Sequence, residues 1–577
     1  MQGPLKVLTL TIPLETRTHR FGAAVVGGGA AGCLAAIRLA ERGIGVALVE
    51  KAHIERSGCL AAGVNALNAY VGRGHGPGDY ADYALADAHG IARADLLLSM
   101  ARRLNGQARW LEGLGLSIHR DQEGRYAERG WRNVMVNGEN LKPLLAAAAR
   151  AAPGVTIFER AAATHLLAGD GSVAGVVALA AGQGALVIEA PAVLMATGGA
   201  SGIYRPANDG RARGQSWYPP FNTGAGLAMG IRAGAEMTTL EMRFVALRCR
   251  ETMAPTGTLA LGAGARQVNG LGEPYEARYG RSTSQRVLAA RRETQEGRGP
   301  CFLLAEASRE AREGIYRAYL NMCPSQTLRL LEEDLAGNGT GDGAMRVEIG
   351  PSEPFVQGGH TAGGYWVDTG RRTTIGGLWA AGDVSGGAPQ KYATGALAEA
   401  EMAAETMAEA ILGGGLSPSG AGVQARAALD ELSALLAQEA GPIGPADIEE
   451  ALQRTMDLYA GGLGSGFRYG LRELSEAEAR LGALEDLASG TRVSGQRALA
   501  RLWEARERLV VARSLVAHLK ARRETRWPGF GEFSDFPGLD PSQESYVNSV
   551  ARDGRIEIIR RPLVKGDTYG HGDAAWA

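Results

Sequence analysis

The feature that most constrains this chain is a glycine turn. Gly27, Gly29 and Gly32 form G-x-G-x-x-G between the apolar run FGAAVV and an Ala/Leu/Ile-rich stretch, and a second apolar run, VALVE, ends at Glu50, 18 positions after Gly32. The pattern reads strand, turn, helix, strand, which is one βαβ unit. In that context the first glycine permits the turn, the second lets backbone approach a pyrophosphate, and the third lets helix pack on strand. Amides at the helix start would hold the anion, and the Glu50 carboxylate stands where an adenosine ribose would donate to it. The motif alone is also met in tight βα turns; strand, helix and terminal acid together predict a dinucleotide site.

Two later apolar runs, ALVIEAPAVLMATGG and GGLWAAGD, end at Gly199 and Asp383 and are expected to return the chain to the same sheet. The segments ERSGCLAAG at 55–63, ATGG at 196–199 and AAGD at 380–383 look like flavoprotein segments, so the dinucleotide is expected to be FAD. The expected contacts are Gly27, Gly29, Ala31, Gly32, Glu50 and Lys51, then Arg56, Ser57, Gly58 and Gly63, then Thr197, Gly198, Gly199 and Asn222, and finally Asp383, Gly395, Ala396 and Leu397. Asp383 suits a ribityl hydroxyl or the pyrophosphate region; capping of the next helix is compatible with either.

With 577 residues, 45% hydrophobic and 21% charged, the chain can bury a large core and is expected to form about three to four structural units. Its 61 basic and 62 acidic side chains leave a net charge of -1, so no overall attraction to nucleic acid or anionic membrane is expected. The five cysteines, Cys33, Cys59, Cys249, Cys301 and Cys323, contain no C-x-x-C pair. Neither an iron–sulfur cluster nor another metal site is therefore expected in this chain. Without a signal-like N-terminus or a long apolar run, a cytoplasmic protein with no membrane span is expected.

The fold class expected is α/β: a Rossmann-like FAD-binding domain with an inserted α+β capping domain and a C-terminal helical domain. The FAD-binding parts are 1–235 and 355–415, the more charged 236–354 is the capping domain, and 416–577 is the helical domain with a tail that wraps the surface. Helical patterns are read at 283–296, 305–320 and about 495–523, with a helix start at Pro445 to Asp447 and a capping box at Ser475 and Glu478.

With these motifs, and with the tail segment RRETRWPGFGEFSDFPGLD followed by YVNS, nearly the whole chain resembles the fumarate reductase, succinate dehydrogenase and L-aspartate oxidase flavoproteins. Within that superfamily it is most similar to the alpha subunits of adenylylsulfate reductases. Where the dicarboxylate enzymes often carry a flavin-linked histidine in R-S-H-T, this chain has Arg56-Ser57-Gly58-Cys59, which implies non-covalent FAD. Their Q-F-H-P-T-G histidine falls at Val245, and their carboxylate-clamping arginine falls in the segment Pro389-Gln390-Lys391-Tyr392. The adenylylsulfate reductase pattern is matched by Asn68, Glu139, Trp217, Arg248, Leu261 and His360, with Tyr392 where that family usually has phenylalanine.

The resemblance implies that reduced flavin N5 attacks the sulfur of adenylylsulfate, AMP leaves, and the adduct collapses to sulfite and oxidised FAD. The joined phosphate and sulfate of that substrate are both anionic, so fixed cations are needed where charge builds. Arg248, in the apolar RFVALRC, is the leading candidate, against an ordinary surface ion pair. His360, between glycines in GGHTAGG, is read as a substrate contact because its flanking glycines allow close approach. Arg298 in the EGRG turn aligns with the superfamily's proton-donating or anion-binding arginine, with helix capping as the competing role. Glu139 would orient His360 or an arginine, and Trp217 would be a stacking wall or plain core. Electrons would come from an iron–sulfur, ferredoxin-like beta subunit. The alternatives are a dicarboxylate oxidoreductase of the fumarate reductase type, or an electron-transfer subunit without its own substrate.

Overall fold

The computed structural model describes residues 14–72, 74–208, 213–250, 265–280, 282–305, 345–416, 420–526 and 531–564. Its centre is a five-stranded parallel sheet whose strands lie in the order Leu378–Ala380, Val193–Met195, Ala23–Val26, Val46–Val49, Val155–Phe158. The inner strands are unbroken apolar runs because both faces are covered. On one face, helix Ala30–Glu41 lies against helix Tyr392–Leu412, with Ala31, Ala35, Ala396, Ala400 and Ala403 in their shared core. Gly32 explains the tight helix-on-strand approach: a Cβ there would stand 1.8 Å from the Gly27 carbonyl oxygen.

The run ALVIEAPAVLMATGG is not one strand. Its first half, Gly184–Glu189, joins Thr16–Arg20, Ser172–Ala180 and Ala161–Gly169 in a second sheet; only Val193–Met195 enters the parallel sheet. Pro191 lies between the two, where it has no N–H for a ladder and restricts the residue before it.

Between the two cofactor-type segments, strands Leu247–Cys249, Met345–Pro351, Cys301–Ala305 and Arg266–Val268 form an antiparallel sheet. Helix Thr283–Gln295 packs on it. Ser282 caps this helix in a true capping box, accepting from Gln285 N at 3.3 Å while Gln285 Oε1 accepts from Ser282 N at 3.1 Å. The helical pattern read at 305–320 falls outside the described residues apart from its first position.

Helices Ala421–Ala434, Pro445–Tyr459, Leu471–Gly490 and Gln496–Ala521 follow. Ser475 and Glu478 do not start a helix. They lie inside Leu471–Gly490, where Ser475 Oγ donates back to the Leu471 carbonyl at 2.8 Å, the alternative such a hydroxyl has to capping. Nor is the tail a mere wrapping. Strand Ser545–Arg552 pairs with Met237–Thr238 on one side and Arg555–Pro562 on the other, burying Tyr546 and Val547 completely. The aromatic and β-branched residues Tyr546, Val547 and Val550, set between turn-rich segments, carried that signal.

Candidate active site

The C-terminal ends of the parallel strands form the cradle where a doubly wound sheet binds ligand. Gly27 has φ +99°, and helix Ala30–Glu41 begins at Gly29 with no side-chain cap and no acid in its first turn. A Cβ at Gly29 would project into open space, and one at Gly58 (φ +72°) would lie 3.8 Å from the Gly29 Cα. Uncapped amides facing an open groove suit a pyrophosphate. Glu50 is buried, and its two oxygens accept from Gly28 N and Ala52 N, each at 2.7 Å, so it braces the turn it was expected to serve. Lys51 pairs with Glu504 at 3.0 Å, Arg56 is exposed, and Ser57 is buried beneath the 54–56 turn.

Further along the groove, Asp383 Oδ2 accepts from the Tyr218 hydroxyl at 2.9 Å, and that hydroxyl accepts from Gly199 N at 2.8 Å. Burial raises the Asp383 carboxyl above the usual range, and the Tyr218 bond opposes this. Gly382, at φ +76°, sits 3.4 Å from the Ala31 Cβ and 3.7 Å from the Ala396 Cβ by its would-be Cβ. The starts of two long helices thus meet at one turn, and Gly395, Ala396 and Leu397 lie in the first turns of the second. Thr197 Oγ1 is buried with no hydrogen-bond partner, and Asn222 adjoins Gly198. The open groove, bare amides and orphaned hydroxyl fit an extended dinucleotide such as FAD.

Beneath this turn lies a buried charge triad absent from the expected site. Glu399 accepts from Gly382 N at 2.9 Å and faces Lys391 Nζ at 3.1 Å and Arg371 Nε at 3.3 Å, all three side chains being fully buried. Lys391 Nζ also donates to the carbonyls of Gly382 (2.9 Å) and Ser385 (2.5 Å).

Next to the Asp383 turn, His360 stands among aromatic rings: Phe244 at 4.2 Å, Tyr392 at 4.8 Å and Trp217 at 5.5 Å between centroids. Its Nδ1 is buried without a partner, and burial pulls the imidazole down to about 4. It is a neutral group awaiting a hydrogen bond. The glycines before it serve packing rather than access: a Cβ at Gly358 would meet Ser385 O at 2.1 Å, and one at Gly359 would meet Asp383 Oδ1 at 2.0 Å. Asn68, buried at the end of strand Ala66–Asn68, bonds the Tyr80 hydroxyl and, at 3.3 Å, the Gln390 carbonyl. Tyr392 follows with φ +49°.

Arg248, on strand Leu247–Cys249 and nearly buried, donates to Ala207 O at 2.9 Å. Its charge sits beside Glu353, which accepts from Ser216 Oγ at 2.7 Å. Arg248 and His360 therefore flank the same Ser216-Trp217 segment without touching each other. Two expected residues, Arg298 and Glu139, are not brought into this cluster. Arg298 clamps Glu293 through Nε (2.6 Å) and Nη2 (2.8 Å) and also pairs with Glu296, so it locks the end of helix Thr283–Gln295, the competing role. Glu139 is exposed before helix Leu141–Ala151 and makes no hydrogen bond or ion pair among the described residues, so it does not orient His360. Leu261 lies outside the described residues.

The cation that helix Thr283–Gln295 does present is Arg286. It is 8% exposed, has no side-chain hydrogen bond or ion pair among the described residues, and lies in the electrostatic neighbourhood of Tyr392, Tyr83 and Asp87. The spacing Arg286, Ala290, Glu293 marks the inward face, so a guanidinium placed at a core position was the available signal.

Comparison with known proteins gives this geometry a context. The FAD binding domain family model matches residues 22–396. Adenylylsulfate reductase subunit alpha of Megalodesulfovibrio gigas is 28% identical, over 94% of this chain and 95% of that protein. The structure of adenylylsulfate reductase from the hyperthermophilic Archaeoglobus fulgidus superposes with TM-score 0.88 at 29% identity, covering 98% of this chain and 99% of that one. A structure of adenosine-5-phosphosulfate reductase in complex with sulfite, a covalent adduct, gives TM-score 0.88 at 28% identity over the same shares. Among the described residues no helix is long and apolar enough to cross a membrane. The family match spans well over half of the chain and takes in the glycine turn, the 196–199 segment and the Asp383 turn: this chain belongs to the FAD binding domain family and is an FAD-dependent oxidoreductase similar to adenylylsulfate reductase.

Proposed function

We propose that the chain reduces adenylylsulfate, or a related oxidised sulfur compound, to sulfite and AMP, with electrons delivered by an iron–sulfur partner protein in the cytoplasm. The observation that carries this reading against a dicarboxylate substrate is the state of Lys391. It stands in the segment where the dicarboxylate enzymes keep a clamping arginine, yet its ammonium is buried under the Asp383 turn between Glu399 and two carbonyls. It has no reach to a substrate carboxylate. Val245, at the position of their substrate histidine, is fully buried in apolar core.

Bound FAD, held without a covalent link because Gly58 offers no nucleophile, would supply the two electrons that the sulfur accepts. The chain's own part is to receive a compact anion and neutralise charge as the phosphate departs. Neutral His360 donates one hydrogen bond to the anion without adding charge, since burial resists an imidazolium. Arg286 offers a pre-placed guanidinium with no internal partner, worth more in a buried site than in water. Trp217 and Phe244 keep water from the reacting sulfur. Arg248, bonded to the Ala207 carbonyl and lying near Glu353, which holds Ser216, contributes positive potential behind the Trp217 segment.

The test is to purify the flavin-loaded chain and titrate sulfite, AMP, fumarate and succinate while recording the visible spectrum. Sulfite bleaching that AMP strengthens or competes with is the expected result. Bleaching by succinate, or fumarate turnover with an artificial donor, would replace this reading by the dicarboxylate one.

A further inference from the structure

A small cavity lies against His360. Its volume is about 10 Å³, room for about one water. Ile91, Met242 and Pro389 give it apolar walls, and the first two share an apolar cluster with buried Tyr546. Its polar or charged lining residues are Asp87, His360 and Thr361. Thr361 is already satisfied, its hydroxyl donating to the Gln357 carbonyl at 2.6 Å. The other two are not. Asp87, the last residue of helix Pro77–Asp87, accepts from Gln390 Nε2 at 2.6 Å through Oδ2, while its Oδ1 is buried without a partner among the described residues. The His360 ring is partly exposed, yet of its two nitrogens Nδ1 is buried and likewise without a partner, which leaves Nε2 for the open side.

Two unpaired polar atoms on one largely apolar pocket are costly, and they do not bond each other. A single water with both as partners removes the two costs at once. Burial also keeps the His360 ring neutral, so one of its nitrogens lacks a proton, and a neighbour that reaches Nδ1 decides which one.

We propose that one ordered water bridges Asp87 Oδ1 and His360 Nδ1, and that Asp87 is thereby a positioning residue that fixes the histidine tautomer with its proton on Nε2. That Nε2 meets an anionic substrate rests on the functional reading above; the bridge itself rests on the cavity and its two orphaned atoms. Oδ2 of Asp87 is engaged by Gln390, so a proton carried by this carboxyl sits on Oδ1 and is donated to the water, which donates one of its own to Nδ1. When the carboxyl is ionised, the water donates one hydrogen to each. Arg132, Arg286 and His89 favour the ionised form and burial favours the neutral one, and either state supports the same tautomer. An anion offers only acceptors, so a ring with Nε2–H can donate to it. The opposite arrangement, Nδ1–H donating to the water, would turn a lone pair toward the substrate's charge.

The test is imidazole nitrogen NMR of the flavin-loaded enzyme carrying isotope-labelled histidine, with the His360 signals assigned by their loss in His360→Gln. Near neutral pH the wild type should show a protonated Nε2 and an unprotonated, hydrogen-bonded Nδ1. Asp87→Leu removes one end of the bridge, and Ala88→Val, on the cavity lining, fills the space while keeping both polar residues. Each should move the two nitrogens toward a mixture of tautomers. Asp87→Asn, whose amide can still donate to the water, should keep the wild-type pattern. Visible spectrum and melting temperature verify that each variant is folded and loaded, and Ala88→Val carries the test where Asp87→Leu does not fold. With adenylylsulfate, kcat/KM of Asp87→Leu should fall about tenfold or more. A tautomer that changes in Asp87→Leu and Ala88→Val, in an enzyme that does not reduce adenylylsulfate, sustains the positioning role while removing the substrate assignment. Adenylylsulfate reduction by an enzyme whose wild-type Nδ1 is protonated, or whose tautomer is indifferent to both variants, overturns the bridge and leaves the substrate assignment standing.

Discussion

Glu399→Gln is the substitution that bears most directly on how the cofactor groove is held. The glutamine is nearly the same size and can still accept from Gly382 N, so packing is conserved and only the charge is lost. What remains is Lys391 and Arg371, two fully buried cations held by carbonyls, with no carboxylate in ion-pair contact among the described residues. Burial already lowers both below their ordinary values, with Glu399 opposing that shift. Removing one partner of a buried ion pair costs about 3–5 kcal/mol. At ~2 cal/mol/K per residue, unfolding of the whole chain carries an entropy near ~1.2 kcal/mol/K, so the melting temperature should fall by about 3 °C, more if the parallel-sheet unit melts alone. Because the Asp383 turn rests on this carboxylate, flavin release should precede or coincide with the transition. Flavin fluorescence and circular dichroism followed on the same heating ramp measure both. Adding Lys391→Met to Glu399→Gln should cost less than the two single losses together, by a coupling on the order of 1–3 kcal/mol. A Glu399→Gln protein that melts with the wild type and keeps its flavin would refute the reasoning.

Three other outcomes follow from the geometry. Arg286→Gln should lower kcat/KM for the anionic substrate by about a hundredfold or more, while the flavin spectrum stays that of the wild type, as steady-state kinetics with an artificial donor would show. Glu507 is buried on helix Gln496–Ala521, where its Oε2 accepts from Thr223 Oγ1 at 2.7 Å and burial pushes its carboxyl up to about 7. The unfolded chain loses this proton near pH 4.5 and the folded one near 7. Stability is therefore present in full below pH 4.5 and is lost as pH rises through 7. Glu507→Gln should match the wild type in denaturant at pH 4.5 and exceed it by up to about 3 kcal/mol at pH 8. Gly29→Val should fill the open groove and give a folded chain without flavin, visible as a colourless protein with wild-type circular dichroism.

Local periodicity made the centre of the fold legible. Gly27 makes the turn and Gly32 the close helix packing that the spacing predicts, and the helices Pro445–Tyr459 and Gln496–Ala521 begin where proline and apolar spacing place them. The failures came from tertiary choices that local pattern does not encode. Pro191 divides one apolar run between two sheets, and the strand Ser545–Arg552 finds its partner far back in the chain. At the site, family spacing led to Arg298 because that arginine sits in a conspicuous glycine turn, whereas Arg286, hidden in the helix, is the one left without an internal partner. The sequence sets Lys391 in the segment of the dicarboxylate enzymes' clamping arginine but does not say what holds its ammonium. Only the fold shows Glu399 beneath it, eight residues further along the same helical segment.

The late strand has a consequence for biosynthesis. Thr238 pairs with Asn548, about 310 positions later, which a ribosome working at ~5–20 residues per second covers in roughly 15–60 s. Until then Met237–Thr238 has one bare edge, and Thr239, whose amide bonds the Val547 carbonyl and whose hydroxyl bonds the Ala362 carbonyl beside His360, lacks one of its two anchors. A nascent chain halted before that stretch would contain every residue expected to contact flavin yet leave the floor under the histidine unfinished and a sticky margin facing its neighbours. Completion of the last strand thus acts as the point at which a translated chain becomes a competent enzyme.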